Sequence, residues 1–342
     1  MISESALPCL LASLSFEKVA TFPTILFEVV VVLASFVGWM IMSKLTDKLP
    51  WRLFAMGVGV LTFELFTGPM WINERMGPWA YLYNDLSWIL TLGWTTLILG
   101  VVVLVDRYLP TWRAPQRFAA YILALLGPIA ALEVLVVKLG IRSYAPEVRD
   151  ATCGVTIQGA PIEILFYAPV FTSLVITFYK YWSFVIDQAA LIPVNKRKWI
   201  RGTVLAFIAV FLFEIMIEPM IENKNLPAWS YVYHDISLIL IASWVLIIGI
   251  GAVVIERHFL HLPMGIRFVL AVMLIGALAL PLESWLALSG YRVFGPSMVE
   301  RFTGLNNPIT GLPAEIGFAV PCYLALIVAF IRYWEIVLDN RW

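Results

Sequence analysis

Charge is scarce in this sequence, and neither sign dominates. Only 13% of its 342 residues are charged, and 23 basic side chains face 23 acidic ones. A soluble domain carries about a quarter charged residues, so a water-facing globule is excluded. With zero formal net charge and no basic arm, nothing in the chain recruits nucleic acid. Three cysteines (Cys9, Cys153, Cys322) make neither a metal quartet nor a disulfide framework. The three histidines, His234, His258 and His261, all lie in the second half, and no Glu-x-x-His pair of the di-iron bundle kind occurs. Neither a metal nor any other cofactor is expected. The first residues, MISESALPCLLASLSFEK, lack a basic n-region and a small-residue cleavage site, and read as a short surface segment.

What the chain has in abundance is long apolar runs. Hydrophobic residues make up 61% of it, and the runs lie near 24–43, 52–72, 80–105, 118–139, 159–184, 200–221, 230–255, 267–289 and 313–336. Each has about the ~17–25 residues a membrane crossing needs. The expectation is an all-α polytopic membrane protein of about nine transmembrane helices, surrounded by membrane lipids. Fifteen of the 23 basic residues fall on the loops and ends that are inner if the N-terminus is outside. The positive-inside rule therefore puts the C-terminus inside and predicts a bacterial cytoplasmic membrane location.

The chain also repeats itself. The segment FELFTGPMWINERMGPWAYLYND (63–85) returns as FEIMIEPMIENKNLPAWSYVYHD (213–235), so Glu64, Trp79, Tyr81, Tyr83 and Asp85 match Glu214, Trp229, Tyr231, Tyr233 and Asp235. The same spacing of 150 pairs Glu133 with Glu283, Gly140 with Gly290 and Arg142 with Arg292; past a two-residue insertion, Glu163 and Phe166 pair with Glu315 and Phe318. This divides the chain into an N-terminal segment with the first helix (1–49), repeat A (50–186), an inner connecting loop (187–198) and repeat B (199–342). Each repeat holds four helices, an even number, so the copies are expected to be parallel, related by an axis along the membrane normal.

The shared acids are the candidate site. Acids within apolar helices are costly and tend to be functional. Glu64 lies twelve residues beyond Arg52, or about 18 Å along a helix. Asp85 and Glu163 are expected in the first turns of helices entering from outside, and Glu133 late in a helix leaving outward. Candidate catalytic residues are thus Glu64, Glu133 and Glu163 with Glu214, Glu283 and Glu315. Candidate ligand contacts are Trp79, Tyr81, Tyr83, Asp85 and Phe166 with Trp229, Tyr231, Tyr233, Asp235 and Phe318. The plain alternatives are an interfacial aromatic belt for the Trp and Tyr residues, first-turn acids that complement a helix dipole, and buried glutamates that glue helices together through Arg142, Arg292 or the tyrosines.

Two segments add a resemblance. EVLVVKLGIRSYAP with QGAPIEILFYAPVF, and their copies ESWLALSGYRVFGP with TGLPAEIGFAVPCY, resemble the lycopene cyclase domain of heterodimeric and fused carotenoid cyclases. The resemblance implies redox-neutral cyclisation of a linear isoprenoid or carotenoid. A carboxylic acid would protonate a terminal alkene, aromatic faces would stabilise the cation, and a base would remove a proton. The chain departs from that pattern where the family has a double acid: Pro161-Ile162-Glu163-Ile164 and Pro313-Ala314-Glu315-Ile316 carry one. Two other classes stay open. One is a non-catalytic pigment- or lipid-binding subunit of a membrane complex, the other a small-molecule transporter built on parallel repeats.

The charge asymmetry generates a topology test. In a cysteine-free background, a cysteine at Ser143 should react with an impermeant maleimide added outside, and one at Lys196 only after the membrane is opened. The reverse pattern inverts the assignment.

Overall fold

The computed structural model describes residues 19–151, 155–189, 199–300, 305 and 307–340. The N-terminal surface segment and the basic cluster Lys196-Arg197-Lys198 lie outside the described residues. Among those described, nine helices are long and apolar enough to cross a membrane. They are α1 Phe22–Met42, α2 Leu49–Thr67, α3 Trp88–Tyr108, α4 Ala114–Lys138, α5 Ile164–Ile186, α6 Trp199–Ile217, α7 Leu238–His258, α8 Met264–Leu288 and α9 Ile316–Asn340. The protein is an all-α polytopic membrane protein.

Both α5 and α9 have 67% of their apolar window buried and pack on one another at the centre, whereas α1 has 17% and lies at the rim. Every element of α2–α4 returns 150 residues later in α6–α8, down to the single turns at Gly68–Met70 and Glu218–Met220. Positions related by that spacing also meet in space. The backbone N–H of Ser297 donates to Glu147 at 2.7 Å, and Gly68–Met70 packs on Glu218–Met220.

The helix boundaries follow from local chemistry. Thr21 and Thr24 cap the start of α1, with Pro23 in its first turn, where a missing N–H costs nothing. Ser87 accepts from the Leu90 N–H and Ser237 from that of Ile239, which fixes where α3 and α7 begin. Asp85 and Asp235 therefore do not sit in first turns. They lie between the short strands Tyr81–Tyr83 and Leu86–Ser87, and between Tyr231–Tyr233 and Ile236–Ser237, because these residues pair as hairpins before the helix starts. Pro161 likewise sits in a two-residue strand, three positions before α5, with Glu163 as the N-cap residue.

The turn after α4 shapes one whole end of the bundle. There the N–H of Gly140 donates to Val137 and that of Ile141 to Val136, and Gly290 with Tyr291 repeats this on Ala287 and Leu286. These are Schellman turns, which need the left-handed φ of +69° and +70° that glycine supplies. They reverse the chain, so strand Arg142–Tyr144 runs back against Trp71–Asn73, and Arg292–Phe294 against Ile221–Asn223. The bundle thus has a hairpin end that carries these strands, and an opposite, short-turn end.

Helix α1 is held by few polar contacts. Glu28 accepts from the Gly77 N–H at 2.6 Å, Thr24 donates to the Arg75 carbonyl, and Trp39 Nε1 donates to Thr96 Oγ1 at 3.1 Å. Trp39→Phe should cost about 1 kcal/mol, the net worth of one hydrogen bond, and Glu28→Ala more, because it strands a buried N–H. Thermal unfolding in detergent, compared with Trp51→Phe at an exposed position, checks the order.

Candidate functional site

At the hairpin end of repeat A, two glutamates and one arginine are packed away from solvent. Side chains alternate along a strand, so Arg142 and Tyr144 point inward while Ser143 points out. The inward pair reaches Glu133 on α4. Arg142 Nη1 lies 3.0 Å from one carboxylate oxygen, and the Tyr144 hydroxyl donates to the other. Arg142 Nε donates to Asn73 Oδ1 at 3.0 Å, Asn73 Nδ2 donates to the Asp85 carbonyl at 2.7 Å, and the guanidinium lies 5.0 Å from the Trp71 ring centroid. Glu64 on α2 completes the group and accepts from the Thr91 hydroxyl.

Repeat B builds the same group with different completions. Arg292 Nη1 is 2.7 Å from Glu283, and its Nε donates to Asn223 at 3.1 Å. Ile241 stands where Thr91 does and has no hydroxyl; Phe294 replaces Tyr144. Glu214 turns to the arginine directly, at 3.4 Å from Nη2. Burial opposes the charge of both arginines, but the carboxylates outweigh it and hold each guanidinium above its usual range. The Tyr144 hydroxyl is pushed up by burial and by Glu133.

The two groups differ in the space beside them. Next to Glu64, Glu133, Arg142 and Tyr144 lies a cavity of about 60 Å³, walled by Phe63, Trp71, Trp94, Tyr167 and Phe171. Its counterpart at Glu283 and Arg292 is about 40 Å³ and is lined by Tyr323, the equivalent of Phe171, which stacks on Phe213 at 4.2 Å. Glu64 also lines a second cleft of about 30 Å³, with Tyr83, Asp85 and Phe318. It is the side chain common to both spaces on its side of the bundle.

Glu315 is buried, and one of its contacts crosses to the other repeat. The Tyr83 hydroxyl donates to it at 3.5 Å, and burial together with Glu315 raises the Tyr83 pKa. The crossing arises because α9 packs against α2 as well as α8. Glu163 is half-buried, its Oε2 enclosed without a hydrogen-bond partner, and it lies near Tyr167 rather than in the Arg142 group.

Several candidates fall outside. Trp79, Trp229, Tyr233 and Phe166 are exposed, with Trp79 on Trp88 at 5.2 Å and Tyr233 on His234 at 4.3 Å. The hydroxyls of Tyr81 and Tyr231 brace their own loops by donating to the Asn73 and Asn223 carbonyls at 3.1 Å. Burial first and then Glu222 raise the Asp235 pKa, but Asp235 is in the hairpin, away from Arg292's carboxylates. Sequence reasoning missed Asn73, Asn223 and Thr91. The first two were visible as an identical pair at the 150 spacing; Thr91 had no such signal, because its copy is Ile241. Among the described residues, no group of three His, Cys, Asp or Glu side chains forms a metal-holding set.

Compared with protein families, curated proteins and solved structures, the chain matches none.

Removing one member of a buried ion pair leaves the other charged and unpaired, at a cost of about 3–5 kcal/mol, whereas replacing both with apolar side chains can be neutral. Arg142→Met should therefore lower stability by about that much, and Glu133→Leu with Arg142→Met should recover most of it, read by thermal unfolding in detergent.

Proposed function

We propose that the protein binds, and at one site converts, a linear isoprenoid taken from the bilayer, by redox-neutral acid-catalysed cyclisation of the lycopene cyclase kind. The observation that carries this reading is a cavity with aromatic walls that two differently partnered carboxylates share. Glu64 has a hydroxyl donor, and Glu133 has a guanidinium and a hydroxyl. Two acids in unlike surroundings at one site are the usual means of dividing acid and base roles.

In this mechanism Glu64 gives its proton to the terminal alkene of the polyene. The alkene's electron pair forms the new C–H bond and leaves a tertiary cation, which the faces of Phe63, Trp94 and Phe171 stabilise. An internal alkene closes the ring, and Glu133, oriented by Arg142 and Tyr144, accepts the proton released from the ring. No electrons are gained or lost. Glu315 and Tyr83 then act at the rim, where Asp85 and Phe318 line the second cleft. Repeat B, with Ile241 and Phe294 in place of the two hydroxyls and Glu214 bound to Arg292, keeps the architecture without the chemistry.

The volume favours a second reading at the same place. A cavity of about 60 Å³ is well below the ~300–1,000 Å³ of ordinary ligand pockets, so a substrate must displace its walls. A subunit that holds a pigment or lipid without converting it needs no such opening at the acids.

The test is incubation of the protein in proteoliposomes with a linear carotenoid. A product of unchanged mass, altered retention and blue-shifted absorption is expected. Glu64→Gln should abolish the product with folding intact, and Glu315→Gln should lower it. Retention of unconverted pigment by all variants leaves the binding reading, and no pigment bound or converted removes both.

A further inference from the structure

We infer that a second site, at the short-turn end of repeat A, binds a phosphate-bearing anion. A cavity of about 390 Å³ opens there between the ends of α2, α3, α4, α5 and α9, within the size range of small-molecule pockets. Arg52, Arg107, Arg117 and Lys180 line it, against two carboxylates, Asp106 and Asp187. Those carboxylates are already engaged. Asp187 accepts both bonds from Arg52 Nη2, at 2.8 and 2.9 Å, and Asp106 accepts from Lys180, Tyr121 and Arg117. Two positive charges are left over. Arg117 Nε is buried with no hydrogen-bond partner, and Arg107 is exposed at the mouth.

Repeat B shows that the surplus is not something the fold requires. At the equivalent positions Gly202 replaces Arg52, Ala271 replaces Tyr121, Ile331 replaces Tyr179 and Glu335 replaces Ser183. Arg332, in the place of Lys180, is bound by Glu256 at 2.7 Å and Glu335 at 2.9 Å. One copy of the same four-helix unit thus drops a cation and adds a carboxylate, and although Arg267 Nε is enclosed without a partner there as Arg117 Nε is here, four cations face only two carboxylates around the repeat A cavity. Cations that serve only membrane orientation lie in solvent, whereas Lys180 and Arg117 are only 14% and 22% exposed and share the cavity with tyrosine and serine hydroxyls. Guanidinium and ammonium donors without free acceptors suit phosphate oxygens. The site lies where helix ends meet the membrane boundary, and basic pockets between transmembrane helices take anionic lipid headgroups. A free phosphate ion offers the same chemistry.

Two arms separate the sources. In nanodiscs of phosphatidylcholine with one-fifth phosphatidylglycerol, native mass spectrometry should show phosphatidylglycerol retained on the protein in preference to phosphatidylcholine. In phosphatidylcholine-only nanodiscs, thermal unfolding should rise with inorganic phosphate but not with nitrate at equal ionic strength if the ligand is the free ion. Either result supports the site, provided that Arg107→Gln with Arg117→Gln weakens it about tenfold or more, the loss of at least one charged hydrogen bond, and that Arg257→Gln with Arg267→Gln in repeat B does not. Should the double variant fail to fold, Arg107→Gln alone, at the exposed mouth, against Arg257→Gln makes the comparison. Neither ligand bound, or equal binding by both sets of variants, overturns the proposal.

Discussion

A guanidinium shut between carboxylates holds the hairpin end together. Arg142 and Arg292 are each 7% exposed or less, in a region where an unpaired charge is prohibitively costly. Each can be there only if a helix end, a reversed strand and a second helix all deliver their polar groups at once. The Schellman turn aims the strand, the strand alternation aims the arginine, and Asn73 or Asn223 ties it to the hairpin that starts the next helix. Strand pairing, helix capping and placement of the acids are therefore consequences of one electrostatic requirement met twice.

The repeats meet that requirement with different spare parts. Repeat A uses Thr91 and Tyr144, so Glu64 has no direct bond to the arginine. Repeat B loses both hydroxyls and binds Glu214 directly. The same divergence separates the two cavities, lined by Phe171 in one copy and by Tyr323 in the other, and the two opposite ends, where repeat B has one cation fewer and one carboxylate more. A duplicated unit allows this, because one copy can preserve the fold while the other is free to specialise.

Much of the architecture was readable from residue pattern alone. Nine apolar runs became nine spans among the described residues, and the 150 spacing marks every element from α2 to α4. Pairing of Glu133 with Arg142 was readable as a structural alternative, because both recur together. The hairpins were not. Tyr81-Leu82-Tyr83 reads as a continuation of an apolar helix, and only Ser87 and Ser237, as caps, mark where the helix starts. Nor could the reach of Glu315 to Tyr83 be foreseen, since a repeat in sequence says which residues are equivalent but not which copies touch. Glu28 escaped notice because it has no counterpart in either repeat.

The chain reversal after α4 also imposes an order on biogenesis. Glu64 is made 78 residues before Arg142, the same interval that separates Glu214 from Arg292. At ~5–20 residues per second of synthesis, the acid waits roughly 4–16 s for its cation, while two further helices must leave the ribosome and enter the bilayer. Throughout that interval the nascent α2 carries a glutamate that the finished fold has yet to enclose. Thr91, on the very next helix, arrives sooner than Arg142 and gives the waiting acid a local partner. Repeat B has no such early hydroxyl, but by the time Glu214 emerges the whole of repeat A is already present for α6 to pack against. The chain order thus gives the first copy its own interim partner and lets the second use its predecessor as a scaffold.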